Sequence, residues 1–220
     1  MLQNLDSEFV QALPVTCDND GGYVAFEATS DRDRLNEGTV QRGANNTSVD
    51  AAMVGRRRNG QRVLIAIEWK YTEHYGDTDQ SAEGPASNGA EPKGEIRKAR
   101  YNGLIAASQQ LRSDALGDHY REPFYQLMRQ TLLAEALVAH QGEERLGADC
   151  FLHVHVIPHA NRDLLDKAYL PHGLGMEAHW RRLLVDQSRY AIVDPIELLT
   201  PREENLLQTE PLHYLSVRYS

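Results

Sequence analysis

The sequence has little that would place the protein in a membrane, outside the cell or in a disulfide-rich class. Among its 220 residues there are two cysteines, Cys17 and Cys150, and they lack the CxxC spacing of a zinc cluster. No apolar run approaches the length of a membrane span, and the N-terminus has neither the basic nor the apolar region of a signal peptide. We therefore expect a soluble, cytoplasmic protein with reduced cysteines and no membrane association.

Positive charge is also scarce. The chain has 23 Lys and Arg against 32 Asp and Glu, which gives a net charge of −9. Bulk electrostatic attraction therefore cannot hold the protein on nucleic acid. A local basic rim could still bind phosphates, and a bound metal ion would bring its own positive charge. The charge balance excludes a coating protein but leaves a nuclease open.

The order of predicted elements favours an α/β fold. Strand patterns occur at 22–28 and 150–157, whereas helical spacing occurs at 6–12, 95–111, 122–140, 161–170 and 176–187. The length suits one domain over residues 1–220, with a core at about 6–160 and a C-terminal helical extension over 161–220. We expect helices on both sides of a mixed sheet.

A β-hairpin is the clearest local prediction. The apolar runs 48–54 and 62–71 flank Asn59-Gly60, a dipeptide typical of tight hairpin turns. Residues 18–22 are likewise typical of a turn, and 29–47 of a loop. The polar stretch 74–94 predicts a disordered surface loop that starts close enough to Lys70 to close over a substrate.

Charged residues interrupt both strands of this hairpin. Because side chains alternate along a strand, Glu68 and Lys70 share a face, and Asp50 on the partner strand can come alongside Glu68. Two neighbouring carboxylates repel one another unless a cation lies between them. Hard oxygen ligands suit Mg²⁺ or Mn²⁺, and a nearby lysine can orient or help to deprotonate an attacking water. The pattern predicts a metal-dependent phosphodiester-cleaving site.

The same residues carry a family resemblance. Asp50, then seventeen residues, then Glu68-Trp69-Lys70 resembles the motif of the PD-(D/E)XK nuclease superfamily, with Val49 where that motif has proline. The segments SVDAAMV, LIAIEWKYTE, FYQLMRQTLLAEAL and PHANRD are similar to a bacterial restriction-endonuclease-like group, so the resemblance spans most of 22–170. It implies an αβββαβ core and Mg²⁺- or Mn²⁺-dependent hydrolysis of nucleic acid.

The resemblance also implies roles for individual residues. Asp50 and Glu68 would be metal ligands together with the Trp69 carbonyl, and Lys70 would be the catalytic lysine. A further upstream acid is expected, either Glu8 on the predicted first helix or Glu27 after the first strand, and we favour Glu27. The resemblance implies that Gln126 and Arg129 contact the substrate. Three cations near the start of a predicted helix are also expected to contact phosphates: Arg97, Lys98 and Arg100. Because the chain begins close to its predicted first helix, an N-terminal segment could precede it.

Three histidines follow one another around the last predicted strand. His153 and His155 form an H-x-H pattern that can bind zinc, but His159 lies beyond Pro158 at a poor spacing for a third ligand. Hydrogen-bonded or solvent-exposed histidines are the better interpretation.

The predicted function is that of a metal-dependent deoxyribonuclease in restriction, phage defence or repair, with DNA favoured over RNA. The alternative is a catalytically silent nucleic-acid-binding or scaffolding module of the same fold, and the acidic charge agrees with it or with a basic partner chain. A homodimer is also open. A DNA mimic ranks last because only the net charge favours it.

Overall fold

The protein was analysed as a computed structural model, which describes residues 1–15, 22–41, 43, 46–87 and 89–200. Cys17 and most of the predicted turn at 18–22 lie outside this part of the chain. A six-stranded mixed sheet forms its centre. The strands are β1 (Phe9–Leu13), β2 (Ala25–Ala28), β3 (Val49–Arg57), β4 (Arg62–Trp69), β5 (Cys150–Val156) and β6 (Tyr190–Val193).

The strands are ordered β1-β3-β4-β5-β6, and β2 also pairs with β3. One edge of β3 is shared, because β1 pairs with its half near the Asn59-Gly60 turn and β2 pairs with its other half. These pairings and the β3–β4 hairpin are antiparallel, whereas β4–β5 and β5–β6 are parallel.

Helices cover the sheet. They are α1 (Leu2–Leu5), α2 (Lys93–Ala107), α3 (Phe124–Ala139), α4 (Arg162–Leu165), α5 (Met176–Arg182) and α6 (Pro195–Leu199). Short 3-10 helices occur at Gln80–Ala82, Ser113–Ala115, Asp118–Tyr120 and Gln187–Arg189. None of the helices in the described ranges is long and apolar enough to cross a membrane.

β4 is buried on both faces, which explains its nearly continuous apolar sequence. Leu64 and Ala66 face the larger core, which contains the inner face of α3. Ile65 and Ile67 face a smaller core on the opposite side of the sheet, closed by residues of β1 and α6. The charged end of β4 therefore lies on the α3 side, because Glu68 continues the Leu64–Ala66 face.

The predicted α/β class, with a mixed sheet flanked by helices, is confirmed. The hairpin, the two long helices and β5 all form close to their predicted positions, and the six-stranded arrangement agrees with a restriction-endonuclease-like core.

Three local predictions are wrong. Residues 9–13 form a strand instead of part of a helix at 6–12, because the open edge of β3 satisfies their backbone groups. The segment after 161 contains β6 as well as helices, since β5 offers a free parallel edge. The stretch 74–94 is not a structureless loop: it holds the Gln80–Ala82 helix and packs against α2.

Candidate active site

Three acidic residues lie level with one another on adjacent strands. Ala51 pairs with Ile67, so the next residues outward, Asp50 and Glu68, oppose each other on β3 and β4. On the other side of β3, the pairs Phe26–Ala51 and Ala28–Val49 put Glu27 level with Asp50. Glu27, Asp50 and Glu68, which we call the acidic row, thus occupy corresponding positions on β2, β3 and β4.

Glu27 has a distorted backbone within this row. Its φ is +48°, in the left-handed region that residues with a side chain rarely adopt. Such conformations cost of order 1–3 kcal/mol and are found most often at functional sites. The distortion therefore favours Glu27 over Glu8 as the upstream acid.

Glu8, the other upstream acid, lies far from the acidic row. Its carbonyl accepts a hydrogen bond from the backbone N–H of Arg58 at the turn end of the hairpin. Arg58 and Asp50 are eight residues apart, which corresponds to about 26 Å along an extended strand. The structure therefore does not bring Glu8 together with Asp50 and Glu68.

Lys70 and Glu68 form a buried ion pair at the end of β4. Lys70 Nζ donates to Glu68 Oε1 over 2.7 Å, and both residues are buried. The strand's alternation explains the contact, because residues 68 and 70 point to the same side. A buried carboxylate needs such a partner, since removal from water penalises its charged form.

Two glutamines of α3 complete the hydrogen bonds of Glu68. Gln126 Nε2 donates to Oε1 over 2.6 Å, and Gln130 Nε2 donates to Oε2 over 2.5 Å. Residues four apart lie on the same helix face, so α3 presents both amides to the carboxylate. Gln126 was predicted from the sequence and Gln130 was not, although the Gln-x-x-x-Gln spacing places both on one helix face.

The charges of the site influence one another. Burial raises the pKa of Glu68, the neighbouring Asp50 raises it further, and Lys70 partly offsets both effects. Burial alone would lower the pKa of Lys70, but its contacts with Glu68 and Tyr75 raise it above the usual value. Lys70 therefore stays protonated at neutral pH.

Asp50 is held by the main chain of β4. Its Oδ2 accepts a hydrogen bond from the Trp69 backbone N–H over 2.8 Å. Trp69 therefore contributes to the site through its backbone N–H, whereas the predicted role was for its carbonyl. The contact fixes the Asp50 carboxylate beside Glu68, across the β3–β4 ladder.

The segment after β4 adds two residues that the sequence analysis did not identify. Tyr75 lies close enough to Lys70 to raise the pKa of its ammonium, and its hydroxyl donates to Gln126 Oε1 over 3.1 Å. Glu122, just before α3, accepts a hydrogen bond from Gln80 over 2.9 Å and is close enough for Lys70 to lower its pKa, although burial raises it overall. Residues 75–80 thus close one side of the site.

Arg129 does not reach the acidic row. Its guanidinium pairs with the buried Glu37 over 3.0 Å and lies over the rings of Tyr101 and Tyr125. Glu37 also accepts hydrogen bonds from Thr47 and from the Tyr101 hydroxyl. Arg129 is therefore engaged in a structural network beside the site.

The three cations of α2 that were predicted to contact substrate have partners within the chain. Arg97 pairs with Glu83 over 2.6 Å and also bonds the Gln80 carbonyl. Lys98 pairs with Glu95 one turn earlier, and Arg100 lies over the ring of Tyr101. Of the predicted substrate contacts, Gln126 touches the acidic row, through its hydrogen bond to Glu68.

His159 is exposed, as predicted, but His153 and His155 are buried and incompletely hydrogen-bonded, so the prediction of exposed or hydrogen-bonded histidines is wrong for these two. His155 pairs in register with Glu68 on β5, and neither of its ring nitrogens has a hydrogen-bond partner in the described ranges. His153 has one contact, between Nδ1 and Thr131 Oγ1 over 3.2 Å. Burial lowers the pKa of both rings, to about 3 for His153, so they are neutral.

The donor set fits a hard divalent cation. Within the described residues, Asp50 Oδ1 accepts no hydrogen bond and Glu68 Oε2 accepts one, so both carboxylates retain oxygen lone pairs. Lys70 supplies one positive charge for two adjacent carboxylates, and the Asp50 carboxylate raises the pKa of Glu68. A Mg²⁺ or Mn²⁺ ion would offset that excess negative charge.

The chain was compared with known proteins. No curated protein and no solved structure matches it. One family model, described as restriction endonuclease associating with ARP, matches residues 1–220. Because the match spans the entire chain, the protein belongs to this restriction endonuclease family.

Proposed function

We propose that the protein is a Mg²⁺- or Mn²⁺-dependent nuclease of the PD-(D/E)XK type that hydrolyses phosphodiester bonds of DNA. The observation that carries the proposal is the acidic row beside a protonated lysine, with Glu68 in contact with Lys70. Family membership supports a nuclease-related role and contact with nucleic acid. Restriction, phage defence and repair are the processes in which such an activity would act.

In this proposal Asp50 and Glu68 hold the metal ion, the Trp69 carbonyl is a third ligand, and Glu27 is the upstream acid. When bound, the ion would supply positive charge against the charge that develops on the scissile phosphate. The register of β2, β3 and β4 supports the grouping of the three acids.

Lys70 acts as an electrostatic and orienting group. Its raised pKa keeps it protonated, so it donates hydrogen bonds to an incoming water or phosphate oxygen and does not accept a proton. Tyr75 and Gln126 are positioning residues, because Tyr75 contacts both Lys70 and Gln126, and Gln126 contacts Glu68.

Partner and domain assignments belong to the same proposal. The chain acts as one unit over residues 1–220, in which β6 joins the sheet and extends the core beyond residue 160, and DNA is preferred to RNA. Three of the predicted phosphate contacts are ion-paired within the chain: Arg97, Lys98 and Arg129. Each cation must break its ion pair before it can bind a phosphate. A second copy or a basic partner chain would supply additional phosphate contacts.

A cleavage assay tests the activity. Supercoiled plasmid, linear duplex, single-stranded DNA and RNA are incubated with the protein and Mg²⁺, then Mn²⁺, and the same assay is run on Asp50→Asn and Lys70→Met. We expect cleavage of at least one DNA substrate that falls about 100-fold or more in both variants, in line with loss of an electrostatic stabiliser.

Matched controls exist on the surface. Lys93→Met and Asp163→Asn make the same chemical changes at exposed positions and should retain full activity. Cleavage that survives both Asp50→Asn and Lys70→Met would overturn the assigned site. Absence of cleavage on all four substrates with either metal would favour the alternative function.

That alternative is a catalytically silent binding or scaffolding module, and one observation favours it. Glu68 Oε1 already accepts hydrogen bonds from Lys70 and Gln126, so both of its lone pairs are used within the protein. A silent module would bind DNA equally well with and without Mg²⁺, whereas the nuclease would bind the ion itself. Titration of Mn²⁺ into wild type and Asp50→Asn separates the two.

A further inference from the structure

A second group of side chains that could hold a metal ion lies near the N-terminus of α3, outside the acidic row. It consists of Asp118, His172 and His179, whose candidate ligand atoms all lie within 4.8 Å of one another. Asp118 begins the 3-10 helix before α3, His172 lies in the turn before α5, and His179 lies on α5. We call these residues the Asp-His-His cluster.

The two distances from Asp118 to the histidines fit one tetrahedral ion. Asp118 Oδ2 lies 3.1 Å from His172 Nε2 and 3.6 Å from His179 Nε2. Zinc bonds of about 2.0–2.1 Å to nitrogen and oxygen put neighbouring tetrahedral ligand atoms about 3.3 Å apart. The two separations fall on either side of that value, so small side-chain adjustments would accommodate the ion.

His179 provides an independent reason for a ligand. Its side chain is fully buried, and neither ring nitrogen has a hydrogen-bond partner among the residues described. Such a group costs free energy unless something satisfies it. Its Nε2 points into the cluster, where a metal ion would satisfy it, and the Phe124 ring stacks against the imidazole at 4.2 Å and fixes its orientation.

The protonation state of the ring is also suitable. Burial lowers the pKa of His179, although the Asp118 carboxylate acts in the opposite direction. Metal ligation requires the neutral imidazole, which is the form that burial favours.

Two of the three ligands line an open cleft of about 620 Å³. Asp118 and His172 form part of its wall, and Arg112 and Arg182 lie on the same wall. A three-residue site that faces a cleft leaves a coordination position for water or an anion. Arg112 pairs with Asp114 of the same wall over 2.8 Å, so the wall carries charges of both signs.

We propose that Asp118, His172 and His179 bind one divalent transition-metal ion of the zinc type, separately from the nuclease metal. Two imidazoles and one carboxylate suit zinc or a neighbouring transition metal better than Mg²⁺, which prefers oxygen ligands. The ion links the start of α3 to α5 and to the turn between α4 and α5, and it leaves one position open to the cleft.

The test uses the full chain after removal of metals with a chelator. Zn²⁺ is titrated into wild type, His172→Gln, Asp118→Asn and Asp50→Asn in a calorimeter, and Co²⁺ binding is followed by visible absorption. We expect one Zn²⁺ site in wild type and in Asp50→Asn, about 100-fold or greater loss of affinity in the two cluster variants, and a four-coordinate Co²⁺ spectrum without thiolate charge-transfer bands.

His159→Gln is the matched control, because His159 is an exposed histidine 3.7 Å from the Asp194 carboxylate. It should bind Zn²⁺ as wild type does. Equal thermal stability of His172→Gln and wild type in the chelator would establish that the variant folds, and Asp118→Asn provides a second, isosteric change. No Zn²⁺ binding by wild type, unchanged affinity in both cluster variants, or thiolate bands with Co²⁺ would each overturn the proposal.

Discussion

Lys70 Nζ lies 2.7 Å from Glu68 Oε1, and the two side chains are only 9% and 4% exposed. An ion pair this deeply buried gains less from attraction than it loses in hydration unless other groups complete its hydrogen bonds. Gln126 and Gln130 do so for Glu68. The arrangement keeps a carboxylate and an ammonium inside the protein at one end of the sheet, a placement that function explains better than stability does.

The first prediction concerns this pair. Lys70→Met leaves the Glu68 carboxylate buried without its counter-charge, so we expect a loss of about 3 kcal/mol or more in the free energy of unfolding. The double variant Glu68→Gln/Lys70→Met removes both charges and should be more stable than Lys70→Met alone. Urea unfolding of wild type, both single variants and the double variant measures the coupling. Strictly additive losses would contradict the prediction.

The second prediction concerns the positive φ of Glu27. Asparagine tolerates left-handed backbone geometry, whereas a β-branched residue does not. Glu27→Val should therefore be less stable than Glu27→Asn by about 1 kcal/mol or more in urea unfolding. Both variants remove the carboxylate, so under the proposed function both should lose metal-dependent cleavage to a similar extent. Equal stability of the two variants would mean that the backbone distortion is absent in solution.

The third prediction concerns pH. Burial lowers the pKa of His153 to about 3, against a usual value near 6.5, so the unfolded chain takes up a proton between these pH values and the folded chain does not. The contribution of neutral His153 to the free energy of unfolding is complete above about pH 6.5. It decreases as the pH falls, by about 2 kcal/mol between pH 7 and 5.

The His153→Asn variant tests the effect. It should lose less stability than wild type between pH 7 and 5, by about the 2 kcal/mol assigned to His153. His74→Asn, a change of the same kind at an exposed site, should follow the wild-type pH profile. Unfolding by urea at a series of pH values measures both slopes. A His153→Asn slope equal to that of wild type would show that the ring is accessible to protons in the folded protein.

Local sequence predicted the elements whose periodicity matches their environment. The β3–β4 hairpin is specified by the Asn59-Gly60 turn and by apolar runs on both sides, and the turn then fixes the register that opposes Asp50 to Glu68. The two long helices are similarly defined by their apolar faces. Because the hairpin carries Asp50, Glu68 and Lys70, the centre of the candidate site was predictable from a short stretch of chain.

Features that depend on docking between distant segments were not predictable. β1 reads as a short amphipathic helix, and only the open edge of β3 selects the strand. The spacing of Gln126 and Gln130 places both amides on one helix face, but their contact with Glu68 depends on how α3 packs on β4. Asp118 and His172 are 54 residues apart in sequence, so their contact appears only in the folded structure.

The last prediction tests the packing of residues 80–83 on α2, which holds the segment leading from Tyr75. Gly94 is the second residue of α2, and a Cβ there would lie 2.1 Å from the Ser81 carbonyl oxygen. Because that contact is with backbone, Gly94→Ala must displace the Gln80–Ala82 helix, and we expect a destabilisation of about 1–3 kcal/mol. Gly103 on the same helix has open space around it, so Gly103→Ala should stabilise the protein by about 1 kcal/mol. If residues 80–83 pack against α2, urea unfolding will show changes of opposite sign in the free energy of unfolding of the two variants. A stabilised Gly94→Ala would mean that these residues do not pack against α2.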